Sequence, residues 1–195
     1  MHLLFATTNA NKTREIIKAL PDNFTVSALS DINLTGTEVD EPYSTLKENA
    51  LHKALSYHHL SGLNCFSEDT GLEVDALNGR PGVYSARYAG IPGNDKNNID
   101  KLLTELNHNE NRNARFRTVM ALIKDNEQYI FEEICEGRIL TTPIGLNGFG
   151  YDSVFLPNGA DKSFAEMSTE EKNIFSHRKK ALFKMISFLK DHHSK

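Results

Sequence analysis

The stretch Leu3-Leu4-Phe5-Ala6-Thr7-Thr8-Asn9-Ala10-Asn11-Lys12 decides the fold class. A short apolar run breaks into a polar stretch, and Lys12 to Leu20 then follows with helical composition up to Pro21. That is strand, loop, helix. Working outward, Thr45-Leu46-Lys47-Glu48 fits a capping box, and Leu46, Ala50 and Ala54 with Leu51 and Leu55 predict an apolar helical face up to His58-His59. Leu63 to Phe66 reads as a second apolar strand running into Glu68-Asp69-Thr70-Gly71, which places carboxylates at a strand end. Asp95 to Leu106 should be helical. Phe116 to Ile123, a turn at Asp125-Asn126-Glu127, and Tyr129 to Ile139 predict a β-hairpin of the longer kind. Ser168-Thr169-Glu170-Glu171 is another capping box, and Leu182, Met185, Ile186 and Leu189 keep the i, i+3, i+4, i+7 spacing of a final helix that breaks near Ser176. Strands and helices mixed in this way predict an α/β fold, a mixed central sheet with a long β-hairpin flanked by helices.

Composition narrows the function classes. With 195 residues and 39% of them apolar, the chain can bury one sizeable core and is expected to form a single domain over 1–195, two-lobed at most. Its 22 Lys plus Arg against 26 Asp plus Glu leave a net charge of -4, which argues against a nucleic-acid polymer as partner. Met1 to Ala6 has none of the features of a secretory signal, and no apolar run approaches the roughly 20 residues of a membrane span. A soluble, cytoplasmic chain with no membrane partner is therefore expected. Cys65 and Cys135 form no CxxC pair and are expected to be buried free thiols rather than a disulfide or a zinc site.

Five segments carry residue types suited to chemistry. Thr7 to Lys12 lies between a strand and a helix amino terminus, where backbone N–H groups and a positive dipole end face an anion and Lys12 adds a charge; an ordinary polar turn fits the same residues. Lys12-Thr13 resembles the tail of a P-loop, but the glycines that motif demands are missing. Glu38, Asp40 and Glu41 in one loop and Glu68, Asp69, Glu73 and Asp75 around a second supply hard oxygen ligands. Mg²⁺ needs only one or two such carboxylates beside substrate phosphates, and Glu41 and Asp69 are the candidates, against the alternative of solvated surface charges. Gly79 to Tyr88 reads as a tight turn leaving arginines next to aromatics, with Arg87 equally suited to a salt bridge. Gly148-Phe149-Gly150-Tyr151-Asp152 allows close backbone approach to a ligand while Phe149 and Tyr151 offer faces for stacking on a base. Lys172 with Ser176-His177-Arg178 offers cationic and imidazole donors near a helix end, and Arg178 falls one helical step before Leu182, aimed inward.

In the same order and over nearly the whole chain, these segments resemble the inosine triphosphate pyrophosphatases, also called dITP/XTP pyrophosphatases. The matching pieces are Ala6 to Lys12, Glu48-Asn49-Ala50 through Lys53-Ala54, Glu68 to Leu72, Pro81 to Arg87, Gly148 to Asp152 and Ser176-His177-Arg178, with Ala165-Glu166-Met167 and Glu171-Lys172 leading into the last. The resemblance implies that Thr7, Thr8, Asn9, Ala10, Asn11 and Lys12 grip phosphates with Lys53 nearby, that Asp69 is proton acceptor and metal ligand, and that Glu41 assists the metal. It implies that Thr70 touches substrate and that Phe149, Gly150, Tyr151, Asp152, Lys172, His177 and Arg178 form a purine pocket. It also implies two lobes around an active-site cleft, a homodimer, Mg²⁺ as cofactor, and hydrolysis of inosine, deoxyinosine and xanthosine triphosphates to monophosphate and pyrophosphate. Tyr43, Ser153 and Lys179 depart from the usual family residues, which touches fine geometry but no proposed phosphate, metal or base contact.

Physical chemistry supplies a rationale for such an activity. Hydrolysis of a triphosphate chiefly needs positioning and charge neutralisation, and a carboxylate becomes a useful base where a metal lowers the acidity barrier of the attacking water. Donors meeting the 6-keto oxygen would be left facing the amino group of adenine, a mismatch worth about 1 to 3 kcal/mol each. A Maf-type pyrophosphatase and a nucleotide-binding module without turnover are the alternatives. The Thr8-Asn9 to Lys12 start speaks against the first, and intact Asp69, Glu41 and Lys12 speak against the second.

Overall fold

The computed structural model describes residues 2–21 and 23–192. In chain order the strands are β1 (His2–Phe5), β2 (Thr25–Ala28), β3 (Cys65–Val74), β4 (Pro81–Gly82), β5 (Asn113–Lys124), β6 (Glu127–Ile139) and β7 (Phe155–Pro157). The helices are α1 (Ala10–Ala19), α2 (Leu46–Ser61), α3 (Asp95–Glu105), α4 (Thr169–Phe175) and α5 (His177–Asp191). One sheet runs in the order β2-β1-β3-β5-β6-β7, with β4 added to β3. It is mixed: β1 pairs in parallel with β2 and β3, while β3–β4 and β6–β7 are antiparallel. The expected α/β class, central mixed sheet and long hairpin are all present. Among the described residues no helix is long and apolar enough to cross a membrane.

The chain divides into two compact units. The first holds Met1–Asp69, Thr118–Glu133 and Arg178–Lys195, so β1, β2, α1, α2 and nearly all of α5 belong to it. One face of its part of the sheet carries Leu3, Phe5, Phe66 and Met120, which pack with Ile16 of α1 and Ala181, Leu182, Met185, Ile186 and Leu189 of α5. The other face carries Leu4 and Cys65, packed with Tyr57 of α2 and Leu29. The second unit holds Thr70–Arg117 and Ile134–His177, and its core gathers Leu72, Val74, Ile99, Leu102, Phe116, Tyr151, Phe155 and Phe164.

Local chemistry explains most boundaries and corrects four expectations. First, α1 starts at Ala10 rather than Lys12, because the Asn9 side chain accepts from the N–H groups of Asn11 and Lys12 and caps the helix there. Second, the buried face of α2 is not purely apolar. It includes Asn49 and Lys53 alongside Leu46, Ala50, Ala54 and Tyr57, while Leu51 and Leu55 are only half-buried. Third, β3 does not end before the acidic pair but continues to Val74, so Glu68 and Asp69 lie in mid-strand. Gly71 permits this: a Cβ there would meet the Gly82 carbonyl oxygen at 2.5 Å, so only glycine lets β4 lie so close along β3. Fourth, the hairpin is tighter than expected. Asp125 and Asn126 alone connect β5 to β6, and their φ angles of 52° and 67° are the left-handed pair that a type I′ turn requires. The break near Ser176 is where expected, with Ser176 ending α4 and α5 starting at His177. Both cysteines are buried free thiols, and burial pushes the Cys65 thiol up to about 12.

Candidate functional site

In the first unit β1 delivers the chain into a short loop, Ala6 to Asn9. Thr7 is buried and its hydroxyl accepts from the Asn9 N–H at 3.2 Å, whereas Thr8, Asn9 and Ala10 are exposed. From the first turn of α1, Lys12 reaches β3, where its ammonium lies 3.5 Å from Glu68 Oε1 and donates to the Glu68 carbonyl at 3.4 Å. Lys53 is carried on the buried face of α2 and is ion-paired with Glu41. The loop before α2 is fastened by Asn49, which accepts from the Tyr43 N–H at 2.9 Å and donates to the Tyr43 carbonyl at 3.1 Å.

Strand pleat separates the acidic pair, because adjacent side chains of a strand leave by opposite faces. Glu68 shares the Phe66 side, the one packed on α1 and α5. There Arg178 holds it through two bonds, Nε to Oε2 at 2.7 Å and Nη2 to Oε1 at 2.8 Å, while the third guanidinium nitrogen donates to Glu15 of α1. Burial alone would depress the Arg178 pKa, but Glu68 and Glu15 outweigh it and raise it, keeping the guanidinium charged. Asp69 shares the face of Ser67, whose hydroxyl donates to the Ala50 carbonyl of α2. Burial pushes the Asp69 carboxyl up to about 6. Lys12 and Lys53 pull it down, and Glu41 and Glu68 push it further up. The Lys12 ammonium is held below its ordinary value, chiefly by burial, with Lys53 and Arg178 adding to the effect.

Among the described residues no three His, Cys, Asp or Glu side chains converge as a ready metal cage. The oxygen donors Glu41 and Asp69, close enough that Glu41 disfavours the Asp69 charge, fit a hard cation that takes its remaining ligands from phosphates and water.

In the second unit the Gly148–Asp152 loop is organised around Asp152. Its Oδ2 accepts from the Phe149 N–H at 3.0 Å and from Lys172 Nζ at 2.8 Å. The Lys172 ammonium lies 5.4 Å from the ring centres of both Phe149 and Phe164. Gly148 has φ of 78° and sits where a Cβ would lie 2.1 Å from Asp152 Oδ2, which explains that glycine. Tyr151 does not offer the stacking face expected of it. It is a core residue, 4% exposed, and its hydroxyl donates to the Ser85 carbonyl at 2.9 Å. His177 is buried with its ring stacked on Phe116 at 4.9 Å. In the Gly79 to Tyr88 segment, the Arg87 guanidinium lies over the Tyr84 ring at 5.5 Å.

The candidate residues therefore form two sets. Lys12, Glu41, Lys53, Asp69 and Arg178 are associated in the first unit, with the Thr7–Asn11 loop leading into α1. Phe149, Gly150, Asp152 and Lys172 are associated in the second unit, which also holds Thr70, Tyr151 and His177. Sequence reasoning missed Glu15, the second partner of Arg178. The available signal was its place on α1, three residues after Lys12.

Comparison with known proteins shows the family. The Ham1 family model matches residues 3–188. The dITP/XTP pyrophosphatase of Flavobacterium johnsoniae is 48% identical over 97% of this chain and 98% of its own. That of Christiangramia forsetii is 49% identical over 97% and 99%. The solved structure of the Staphylococcus aureus Ham1 protein superposes with a TM-score of 0.89 at 36% identity, covering 98% of this chain and all of that one. On the sequence match and the shared fold together, the chain belongs to the Ham1 family.

Proposed function

We propose that this protein is a Mg²⁺-dependent nucleoside triphosphate pyrophosphatase acting on inosine, deoxyinosine and xanthosine triphosphates, releasing the monophosphate and pyrophosphate. The observation that carries this is the Asp69 carboxyl, raised to about 6 by burial and flanked by the Lys12 and Lys53 ammoniums on elements that also place Glu41. A carboxylate poised near neutrality is a better proton acceptor than an ordinary one, and two mostly buried lysines suit a polyanion more than any neutral substrate.

Glu41 and Asp69 would hold Mg²⁺, which when bound supplies charge neutralisation and a more acidic water. The protein's own groups do the rest. Lys12, Lys53 and the Thr7–Asn11 segment at the head of α1 bind and orient the phosphates. Asp69 accepts the proton of the attacking water as the bridge between α and β phosphates breaks. In the second unit the Phe149 ring offers a stacking face, Lys172 is held on Asp152, and His177 is fixed against Phe116 as a donor to the 6-keto oxygen. Thr70 follows Asp69 in the chain and would touch substrate. Tyr151 would support the pocket from the core, and Arg178 would donate toward the base from its carboxylate anchors. The relatives' names support this substrate class. We also propose a single functional domain that works as a cytoplasmic homodimer.

The test is a panel of nucleoside triphosphates with Mg²⁺, scoring pyrophosphate and phosphate separately. Inosine and xanthosine triphosphates should give pyrophosphate well ahead of adenosine triphosphate, and EDTA should abolish turnover. Full activity in metal-free buffer, or orthophosphate as the first product, would overturn the proposal.

A further inference from the structure

Phe149 stands between two glycines whose φ angles are both positive, 78° at Gly148 and 59° at Gly150, so its immediate neighbours do little to fix its conformation. Its orientation depends on what holds the two peptide groups flanking its Cα. The preceding peptide is held through the Phe149 N–H by Asp152 Oδ2 at 3.0 Å. The following peptide is held through the Gly150 N–H by Asp95 Oδ2 at 2.7 Å, from a residue 55 positions away on α3.

Asp95 is not occupied in capping its own helix, because Asn94 is the N-cap and accepts from the Asn97 N–H at 3.0 Å. Nor is the link to α3 isolated. Asn98, buried one turn further on, accepts from the Ala89 N–H at 2.7 Å and donates to the carbonyls of Ser85 and Ala86. The Ser85 carbonyl is also the acceptor for the Tyr151 hydroxyl. The first turn of α3 thus reaches the Phe149 loop twice, directly through Asp95 and indirectly through Asn98, Ser85 and Tyr151.

We propose that Asp95 is a positioning residue for base recognition: by fixing the Phe149–Gly150 peptide plane it sets the direction in which the Phe149 ring presents its face. This rests on the assignment of Phe149 to the purine pocket. A charged acceptor makes a stronger bond to an amide than a neutral one, but Asp95 is exposed and water competes for both groups, so the effect is moderate.

The experiment measures binding of inosine monophosphate and of inorganic tripolyphosphate to the full chain carrying Asp95→Ala, Asp95→Asn or Phe149→Ala, together with the KM and kcat for inosine triphosphate. Asp95→Ala should weaken inosine monophosphate by about three- to tenfold, the loss appearing in KM rather than kcat, with tripolyphosphate affinity unmoved. Asp95→Asn keeps an acceptor oxygen and should recover most of that loss. Equal losses in the two variants, or a fall in thermal stability with no change in inosine affinity, would reduce Asp95 to a helix-dipole residue and overturn the proposal. Should Phe149→Ala weaken inosine monophosphate while Asp95→Ala does not, the positioning role alone fails. Were Phe149→Ala itself without effect, the purine-pocket assignment would fall and take this role with it.

Discussion

Glu68 and Asp69 are neighbours of the same chemical class with opposite energetic roles, and the pleat of β3 is the reason. Glu68 is fully buried but doubly bonded to Arg178, so its charge is compensated. Removing one partner of a buried pair leaves the other uncompensated at a cost of about 3 to 5 kcal/mol. Glu68→Gln should therefore lower stability by about that amount, measured by urea unfolding at pH 7. A loss under 1 kcal/mol would show that Arg178 finds other acceptors, on the scale of an exposed pair. Asp69 is buried with a carboxyl raised to about 6 from an ordinary 3.8, so the folded state holds its proton more tightly than the unfolded chain. The sign follows: the penalty is absent below about pH 4, grows between the two pKa values, and is complete above about pH 6, where it amounts to about 3 kcal/mol. In metal-free buffer Asp69→Asn should be more stable than the parent at pH 7, with the gap closing as pH falls from 6 to 4, while turnover drops by at least about a hundredfold. A mutant no more stable than the parent at pH 7 would show that the two lysines already compensate the charge. Both acids are plain in the sequence, and a period of two would have separated them had the strand been read as continuing past Phe66. Arg178 is also legible as inward-facing from its spacing to Leu182, but its partners Glu15 and Glu68 come from elements remote in the chain, and spacing carries no signal for that.

Elements that are periodic in their own right were legible; elements fixed by another segment were not. The α4–α5 break at Ser176, the box at Ser168 with Glu171, and α3 all depend on local capping and i, i+3, i+4 spacing, which the sequence states directly. The box at Thr45 is only half realised: Thr45 accepts from the Glu48 N–H, but the Glu48 carboxylate bonds the Thr45 hydroxyl. The length of β3 depends on β4 lying against Gly71, a contact with a distant segment. In sequence the polarity of Glu68-Asp69-Thr70 accordingly reads as a loop. The tightness of the hairpin turn is likewise hidden from local sequence, because Asp125 and Asn126 are held left-handed partly by Asn64, which bonds both the N–H and the carboxylate of Asp125, and by His58, which bonds Asn126. Gly71→Ala tests the first of these. Its Cβ would sit 2.5 Å from a backbone oxygen that cannot rotate away, so β4 must move, at a cost of about 1 to 3 kcal/mol seen as a lower urea midpoint. An unchanged midpoint would mean that β4 is not fixed by this contact.

At the scale of the molecule, chain order does not show how the site residues divide. Asp69 and Thr70 are adjacent, as are His177 and Arg178, yet each pair straddles a boundary between the two compact units. The first unit gathers the carboxylates Glu15, Glu41, Glu68 and Asp69 with the cations Lys12, Lys53 and Arg178, a set with one negative charge in excess. Such a set has little net attraction for a polyphosphate until a divalent cation joins it, so the proposed metal dependence rests on the charge count as well as on the oxygen donors. The second unit holds Lys172 differently, bonded to Asp152 and near the Phe149 and Phe164 rings. If phosphate grip belongs to the first unit and base discrimination, Arg178 apart, to the second, the two functions should be separable by mutations at other positions. Lys53→Met should lower kcat/KM for inosine and adenosine triphosphates by the same factor, leaving their ratio untouched, and should weaken inorganic tripolyphosphate as well. Lys172→Met should leave tripolyphosphate alone and narrow the preference for inosine by about tenfold, the worth of one charge-assisted hydrogen bond. Because Lys53 is paired with Glu41 and Lys172 with Asp152, the double mutant should show the product of the two effects on inosine triphosphate to within about twofold. A strongly non-additive double mutant, or a Lys53→Met variant that also changes the inosine-to-adenosine ratio, would show that the two sets act as one and that the division of labour between the units is wrong.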